Sequence, residues 1–191
     1  NELLSAHPEV SVIGVTGQMH GIVYLDKNGD PVSPLYTWQD GRGNLPYGSG
    51  TYASHLGSCS GYGNVTDFYN RENGLVPAEA VNFCTIHDYL VMHLCGLKKA
   101  IVHSSDAASL GCFLIKDSSF DQKATDLLGL DYSFLPEVTS ELAIAGKTED
   151  GIPVTVAIGD NQASVIGSIK GDGCALINIG TGSQVSVLTH T

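Results

Sequence analysis

Positive charge is scarce in this chain. Its 191 residues carry nine lysines and arginines against 20 aspartates and glutamates, a formal charge of −11. Nucleic acid and anionic membranes are met by clustered basic patches, and these nine residues are scattered, so neither is expected as a partner. An anionic ligand would have to be held by backbone amides or a metal ion. Long apolar runs are also missing: none approaches the ~20 residues that cross a bilayer, and no basic-then-apolar leader opens the sequence. The five cysteines (Cys59, Cys84, Cys95, Cys112, Cys174) are odd in number, and none stands at the close spacing of a zinc or redox pair. Reduced, buried thiols and a cytoplasmic location are the expectation.

Several catalytic signatures are absent as well. No Gly-x-Ser-x-Gly elbow surrounds a serine, no Gly-Lys-Ser/Thr ending closes a phosphate loop, and no His/Cys/carboxylate group has fixed-metal spacing. Hydrolase and resident-metal readings lose most of their ground, and no metal ligand is assigned within the chain. What is present is 42% apolar and 15% charged residues, the composition of one well-cored globular domain or two small ones.

Turn and cap chemistry orders the elements. Ser11 to Thr16 and Ile22 to Asp26 are strand-like and separated by the corner Gly17-Gln18-Met19-His20-Gly21, whose glycines expose Gln18, Met19 and His20. Asn28-Gly29, between Ile22–Leu25 and Val32–Tyr36, predicts a type I′ hairpin. Thr37 to Arg42 brings the single tryptophan, Trp38, beside Gln39, Asp40 and Arg42, and Gly43 to Gly63 lacks periodicity and is expected to be irregular. Asp40 and Arg42 could equally be an internal ion pair. A helix is predicted over Thr85 to Cys95, with Thr85 and Asp88 at capping-box spacing and Gly96 as its stop, and a second from Ser119 and Gln122 to Gly129. Ala175 to Ile179 and Gln184 to Leu188 are strand-like and flank Gly180-Thr181-Gly182-Ser183. That turn could cradle a phosphate or simply close a hairpin.

The most informative stretch is Val156-Ala157-Ile158-Gly159-Asp160-Asn161-Gln162-Ala163-Ser164. Pro153 to Ile158 is β-branched and uncharged, as in a strand of a parallel sheet buried on both faces, and Asn161 to Ile169 has helical apolar spacing. Asp160 therefore falls at the carboxyl end of a strand, where open α/β sheets meet their ligands. It could cap the helix, serve a site, or both.

In chain order, Val15-Thr16-Gly17-Gln18-Met19-His20-Gly21, Trp38-Gln39-Asp40-Gly41-Arg42, Ile158-Gly159-Asp160-Asn161-Gln162-Ala163 and Asn178-Ile179-Gly180-Thr181-Gly182-Ser183 resemble the FGGY carbohydrate kinases over nearly the whole chain. Within that family Thr37 to Arg42, Ile86-His87-Asp88-Tyr89 and Leu94-Cys95-Gly96-Leu97 are most similar to the sedoheptulokinases, with the xylulokinases next. The resemblance implies an actin-like, ribonuclease-H-like α/β fold in two lobes, ATP and Mg2+ in the cleft, and phosphoryl transfer to a terminal hydroxyl of a ketose. It makes Asp160 the general base, Asn161 a sugar contact, and Met19 and His20 the sugar-binding pair. Gln18, Trp38 and Asp40 join the substrate-binding set, and Gly180, Thr181, Gly182 and Ser183 match the second phosphate loop. Another pentulose or polyol kinase, or a non-catalytic sugar-binding regulator on the same fold, are the alternatives, and a homodimer is compatible with each.

The chain departs from the family pattern in two respects. The family's first phosphate loop, Asp-x-Gly-Thr, does not occur in these 191 residues, and the Thr181-Gly182-Ser183 order differs from the commoner Gly-Thr-Ser run. Residues 1–191 are accordingly expected to form most of an N-terminal, sugar-binding lobe, without the adenosine-binding lobe.

Overall fold

The structure, a computed structural model, describes residues 2–171, 173–179 and 183–188. A short helix α1 (Glu2–Ala6) precedes β1 (Thr16–Gly17) and β2 (Val23–Leu25). After a 3-10 turn at Arg42–Asn44 come the small hairpin β3 (Pro46–Tyr47) and β4 (Gly50–Thr51), then α2 (Tyr52–His55) and α3 (Gly63–Glu72). β5 (Asn82–Cys84), α4 (Ile86–Leu94) and β6 (Ile101–His103) follow, and α5 (Ser104–Ala107) runs into a 3-10 turn, Ala108–Leu110. Next are β7 (Phe113–Leu114), β8 (Ser119–Phe120), α6 (Gln122–Leu127) and β9 (Glu137–Thr139). The chain continues through β10 (Ile144–Lys147), β11 (Pro153–Thr155), β12 (Ile158–Gly159), α7 (Asp160–Ser168), β13 (Ala175–Ile179) and β14 (Ser183–Val187).

The architecture is mixed α/β. β1–β12 and β6–β9 pair in parallel, while β2–β5, β10–β11 and β13–β14 are antiparallel. The strand predicted over Pro153–Ile158 is correspondingly divided: β11 leans on β10, and β12 on β1, with Ile13 bridging Val154 in parallel. Its buried residues are Val154, Val156 and Ala157.

The main core gathers Ile22, Tyr24, Phe83, Val102, Ala107, Leu110, Phe120 and Leu135. The larger aliphatic and phenylalanine side chains among them each stabilise the fold by roughly 1.5–3 kcal/mol relative to exposure. The Asn28-Gly29 hairpin forms, with Ile22 paired to Tyr36 and Leu25 to Pro31, but its turn is not type I′. Gly29 has φ of +88° whereas Asn28 is not left-handed, and Asp26 accepts the N–H groups of Asn28 and Asp30 in a longer loop. An aspartate before the turn thus recruits the backbone amides that a two-residue turn would have paired across the strands.

Helix α4 matches its prediction: Thr85 Oγ1 accepts Asp88 N–H, and Gly96 turns the chain with φ of +63°. Helix α6 is capped two residues later than Ser119 would place it, because Asp121 accepts the N–H of Ala124 at 3.0 Å. Helix α3 has few apolar residues in sequence, yet it buries Asn64, Thr66, Asp67 and Asn70. Tyr24 donates to Asp67 at 2.7 Å, Arg71 Nε pairs with the other Asp67 oxygen at 2.7 Å, and Asn70 bonds Tyr24 at 3.2 Å. Burial raises the Asp67 carboxyl above its ordinary value despite these partners. None of the described helices is long and apolar enough to cross a membrane.

Candidate active site

The site begins with a register. Thr16 lies beside Ile158 and Gly17 beside Gly159 in the parallel pair β1–β12, so both chains leave the sheet at the same end. One becomes the 18–21 corner and the other becomes α7, which is the arrangement that gathers ligand-binding groups at strand carboxyl ends. Three glycines allow the close approach. A Cβ on Gly159 would lie 2.5 Å from Met19 Cγ, one on Gly21 would lie 2.3 Å from the Tyr36 carbonyl oxygen, and one on Gly17 would lie 3.0 Å from His87 Cβ.

Within the corner, His20 adopts φ of +80°, a left-handed conformation that a non-glycine residue holds only when its surroundings enforce it. Its N–H donates to Ser109 Oγ at 3.3 Å, its Nδ1 meets the Ser109 carbonyl oxygen at 3.0 Å, and its ring stacks on Tyr62 at 4.3 Å. A carbonyl can only accept, so Nδ1 carries the proton and the neutral ring keeps Nε2 as a free acceptor.

Gln18, Met19, His20, Trp38, Asp160 and Asn161 line one cavity of about 180 Å³. Six of the expected site residues, from three separated segments, are therefore brought together. Larger crevices of about 380 and 410 Å³ gather none of them. Asp160 is the exposed first residue of α7; the N-cap is Gly159, and among the described residues the carboxylate accepts only the adjacent Asn161 N–H at 2.9 Å. Capping therefore does not account for this aspartate. Asn161 reaches back to Met19 Sδ at 3.9 Å across the cavity floor. Trp38 is 53% exposed. Its main chain is fixed by Gly61, where a Cβ would sit 2.1 Å from the Trp38 carbonyl oxygen.

Asp40 does not line the cavity. Its Oδ1 accepts from Arg42 Nε at 2.7 Å and from Arg42 N–H at 3.0 Å, while the Arg42 guanidinium lies 4.4 Å from the Tyr36 ring centroid and bonds Asn70. The pair braces the segment that presents Trp38. Gly180, Thr181 and Gly182 lie outside the described residues, and Ser183 opens β14 opposite Ile179.

Behind the corner lies a buried charged cluster that sequence reasoning did not single out. His87, Asp88 and Asp106 are all buried, with ligand-type atoms within 4.8 Å of one another. His87 Nε2 bonds Asp106 Oδ2 as an ion pair beneath Gly17, while Asp88 Oδ2 is held separately by Thr85 Oγ1, which donates to it at 2.6 Å. Burial works against the charged imidazole, yet the Asp106 bond and the charges of Asp106, Asp88 and Asp160 outweigh it and raise the His87 pKa. Burial, reinforced by Asp106, pushes Asp88 up to about 7. Tyr62 and Ser109 were missed for the same reason as the cluster: their roles depend on contacts with residues more than forty positions away, and only the Asp106-to-Ser109 spacing hinted at a shared helical face.

Comparison with known proteins identifies the family. The model of the FGGY family of carbohydrate kinases, N-terminal domain, matches residues 70–167. The sedoheptulokinases of Mus musculus and Homo sapiens are each 33% identical, over 97% of this chain and 45% of theirs. A xylulose kinase of Streptomyces rubiginosus is 28% identical over 97% of this chain and 42% of its own. Among solved structures, Plasmodium falciparum glycerol kinase with ADP superposes with a TM-score of 0.77 at 21% identity, covering 97% of this chain and 42% of that one. Rhodospirillum rubrum xylulose kinase gives 0.75 at 20% identity, covering 93% and 41%. The chain spans less than half the length of these relatives and has the actin-like α/β fold of their matching portion. With the family model spanning just over half of its residues, this chain belongs to the FGGY family of carbohydrate kinases.

Proposed function

We propose that the whole protein is an ATP-dependent kinase of a small ketose, sedoheptulose-like, that moves the γ-phosphoryl group to a terminal hydroxyl. The observation that carries this reading is the convergence of Asp160 and Asn161 with Gln18, Met19, His20 and Trp38 on one small cavity. The 33% identity to sedoheptulokinases favours the seven-carbon sugar, and the 28% identity to a xylulose kinase makes a pentulose the second choice.

Each residue has a distinct task in this reading. Asn161 and His20 Nε2 orient hydroxyls of the sugar, and Trp38 offers an apolar face to its C–H groups. Asp160, exposed and engaged only by its neighbour's N–H, accepts the proton of the attacking hydroxyl. Phosphoryl transfer proceeds through a loose transition state, so holding that hydroxyl in line contributes more than early proton removal. The positive end of α7, which opens at Asp160, favours negative charge developing beside it. Gly180, Thr181, Gly182 and Ser183 are proposed to hold donor phosphates, and Asp40 to support the sugar through its hold on the Trp38 segment. Mg2+ would neutralise the donor's phosphates, and no described residue is assigned to it. Residues 1–191 would be most of the sugar-binding lobe.

Asp160→Asn tests the assignment. Removing the base while keeping the side-chain shape should lower kcat at least about a hundredfold, with sugar affinity and melting temperature nearly unchanged. Near-normal turnover in Asp160→Asn would remove this residue from the chemistry. Saturable sugar binding without any turnover by the unaltered protein would instead favour a non-catalytic sugar sensor.

A further inference from the structure

The sugar corner contains a contradiction that needs a cause. His20 sits at φ of +80°, where its Cβ crowds the backbone, although glycines occupy both Gly17 and Gly21 nearby. The Gly21 N–H bonds the Met19 carbonyl oxygen across it at 3.0 Å, and the two bonds that His20 itself makes both end on one residue. His20 N–H donates to Ser109 Oγ at 3.3 Å, and His20 Nδ1–H donates to the Ser109 carbonyl at 3.0 Å.

Ser109 is itself fixed. It is buried at 4% exposure, and its hydroxyl donates to the Asp106 carbonyl at 2.7 Å, which turns an oxygen lone pair toward the His20 amide. The Asp106 carboxylate lies 3.4 Å from the same hydroxyl and is anchored by His87, whose ring packs against Gly17 at the start of the corner. A closed loop of contacts therefore runs from Gly17 through His87, Asp106 and Ser109 to His20.

We propose that Ser109, seated by Asp106, is the positioning residue of the sugar pocket: it holds His20 in its left-handed conformation and in the tautomer whose Nε2 accepts from a sugar hydroxyl. This rests on the kinase reading above for its substrate, but not for its geometry. A ring presented as acceptor selects a ligand that donates a hydroxyl proton at that point, and a deoxy analogue would leave Nε2 unpaired.

The test is a double-mutant cycle in the whole protein with Ser109→Ala and His20→Ala. Ser109→Ala alone should raise the ketose KM roughly five- to tenfold with kcat within about twofold. In the His20→Ala background the same change should move KM by less than about twofold, because the group it positions is gone. Additive effects on KM would overturn the proposal by showing that Ser109 acts independently of His20. A second measurement needs no variant to fold and no turnover: nitrogen-15 spectra of labelled imidazoles, at a pH where the ring is neutral, should show His20 protonated at Nδ1. Protonation at Nε2 would overturn the proposal even in a fully active enzyme. If no ketose is phosphorylated, the kinase reading fails while the His20 spectrum still decides the role of Ser109.

Discussion

Burial makes Asp88 a group through which the fold responds to protons. It is buried beside Asp106, one of its oxygens has no partner among the described residues, and its pKa rises from 3.8 to about 7. The folded state therefore binds this proton more tightly than the unfolded chain, and the associated stability is present at low pH and lost as pH climbs from about 4 through 7. His87, raised from 6.5, acts in the same direction: its charged pair with Asp106 stabilises fully below the ordinary value and fades as pH passes the higher folded one. Asp88→Asn should flatten the decline. The melting temperature of the variant relative to the native protein is expected to increase from pH 5 to pH 8, measured by calorimetry at matched ionic strength; a constant difference would mean that Asp88 is already ionised in the fold at pH 5. None of this was visible in the sequence, where Ile86-His87-Asp88-Tyr89 stood out as a helix start and a family-like motif but not as a buried charged group. Burial decides the chemistry of such groups, and burial is a property of the surrounding elements. Asp160 is the opposite case: strand, glycine and acid in succession already place a carboxylate at a sheet's end, and the structure puts it on the cavity.

Among elements, the best-read ones carried local instructions. Helix α4 is announced by Thr85 and ended by Gly96, and both act as their chemistry dictates. Helix α6 offers a sharper comparison, because two candidate caps compete within three residues. Asp121→Ala should cost about 0.5–2 kcal/mol in urea unfolding through loss of the Ala124 bond, and Ser119→Ala should cost much less. Equal losses would indicate that the helix start is held by packing of β8 rather than by Asp121. Helix α3 was illegible for a physical reason: beside Val65 and Phe68 its inward face is largely polar, and Asp67 and Asn70 meet a tyrosine more than forty residues earlier in the chain. Hydrophobic periodicity cannot report a helix whose packing is hydrogen-bonded. The same holds for the short β3–β4 hairpin and α2 in the 43–63 segment, which are irregular in sequence yet regular in outline.

At the scale of the whole molecule, the site depends on one long-range pairing. β1 and β12 lie side by side in register, and Asn161 and Met19, 142 residues apart, face each other because of it. The hairpin of Ile22 with Tyr36 closes a short loop, whereas this pairing must close nearly three quarters of the chain. Closure entropy grows with loop length, and distant contacts are consolidated late. The binding cavity should therefore be among the last features to appear during refolding, whatever order the remaining elements follow. Pulsed hydrogen exchange reads this directly: the Tyr36 amide, bonded to Ile22, should gain protection before the Ile158 amide, bonded to Val15. Simultaneous protection would place both in one cooperative unit. If the delay is found, the nascent protein passes through a compact stage that has a core but not yet the cavity, and a ligand of that cavity could accelerate only the final step of its maturation.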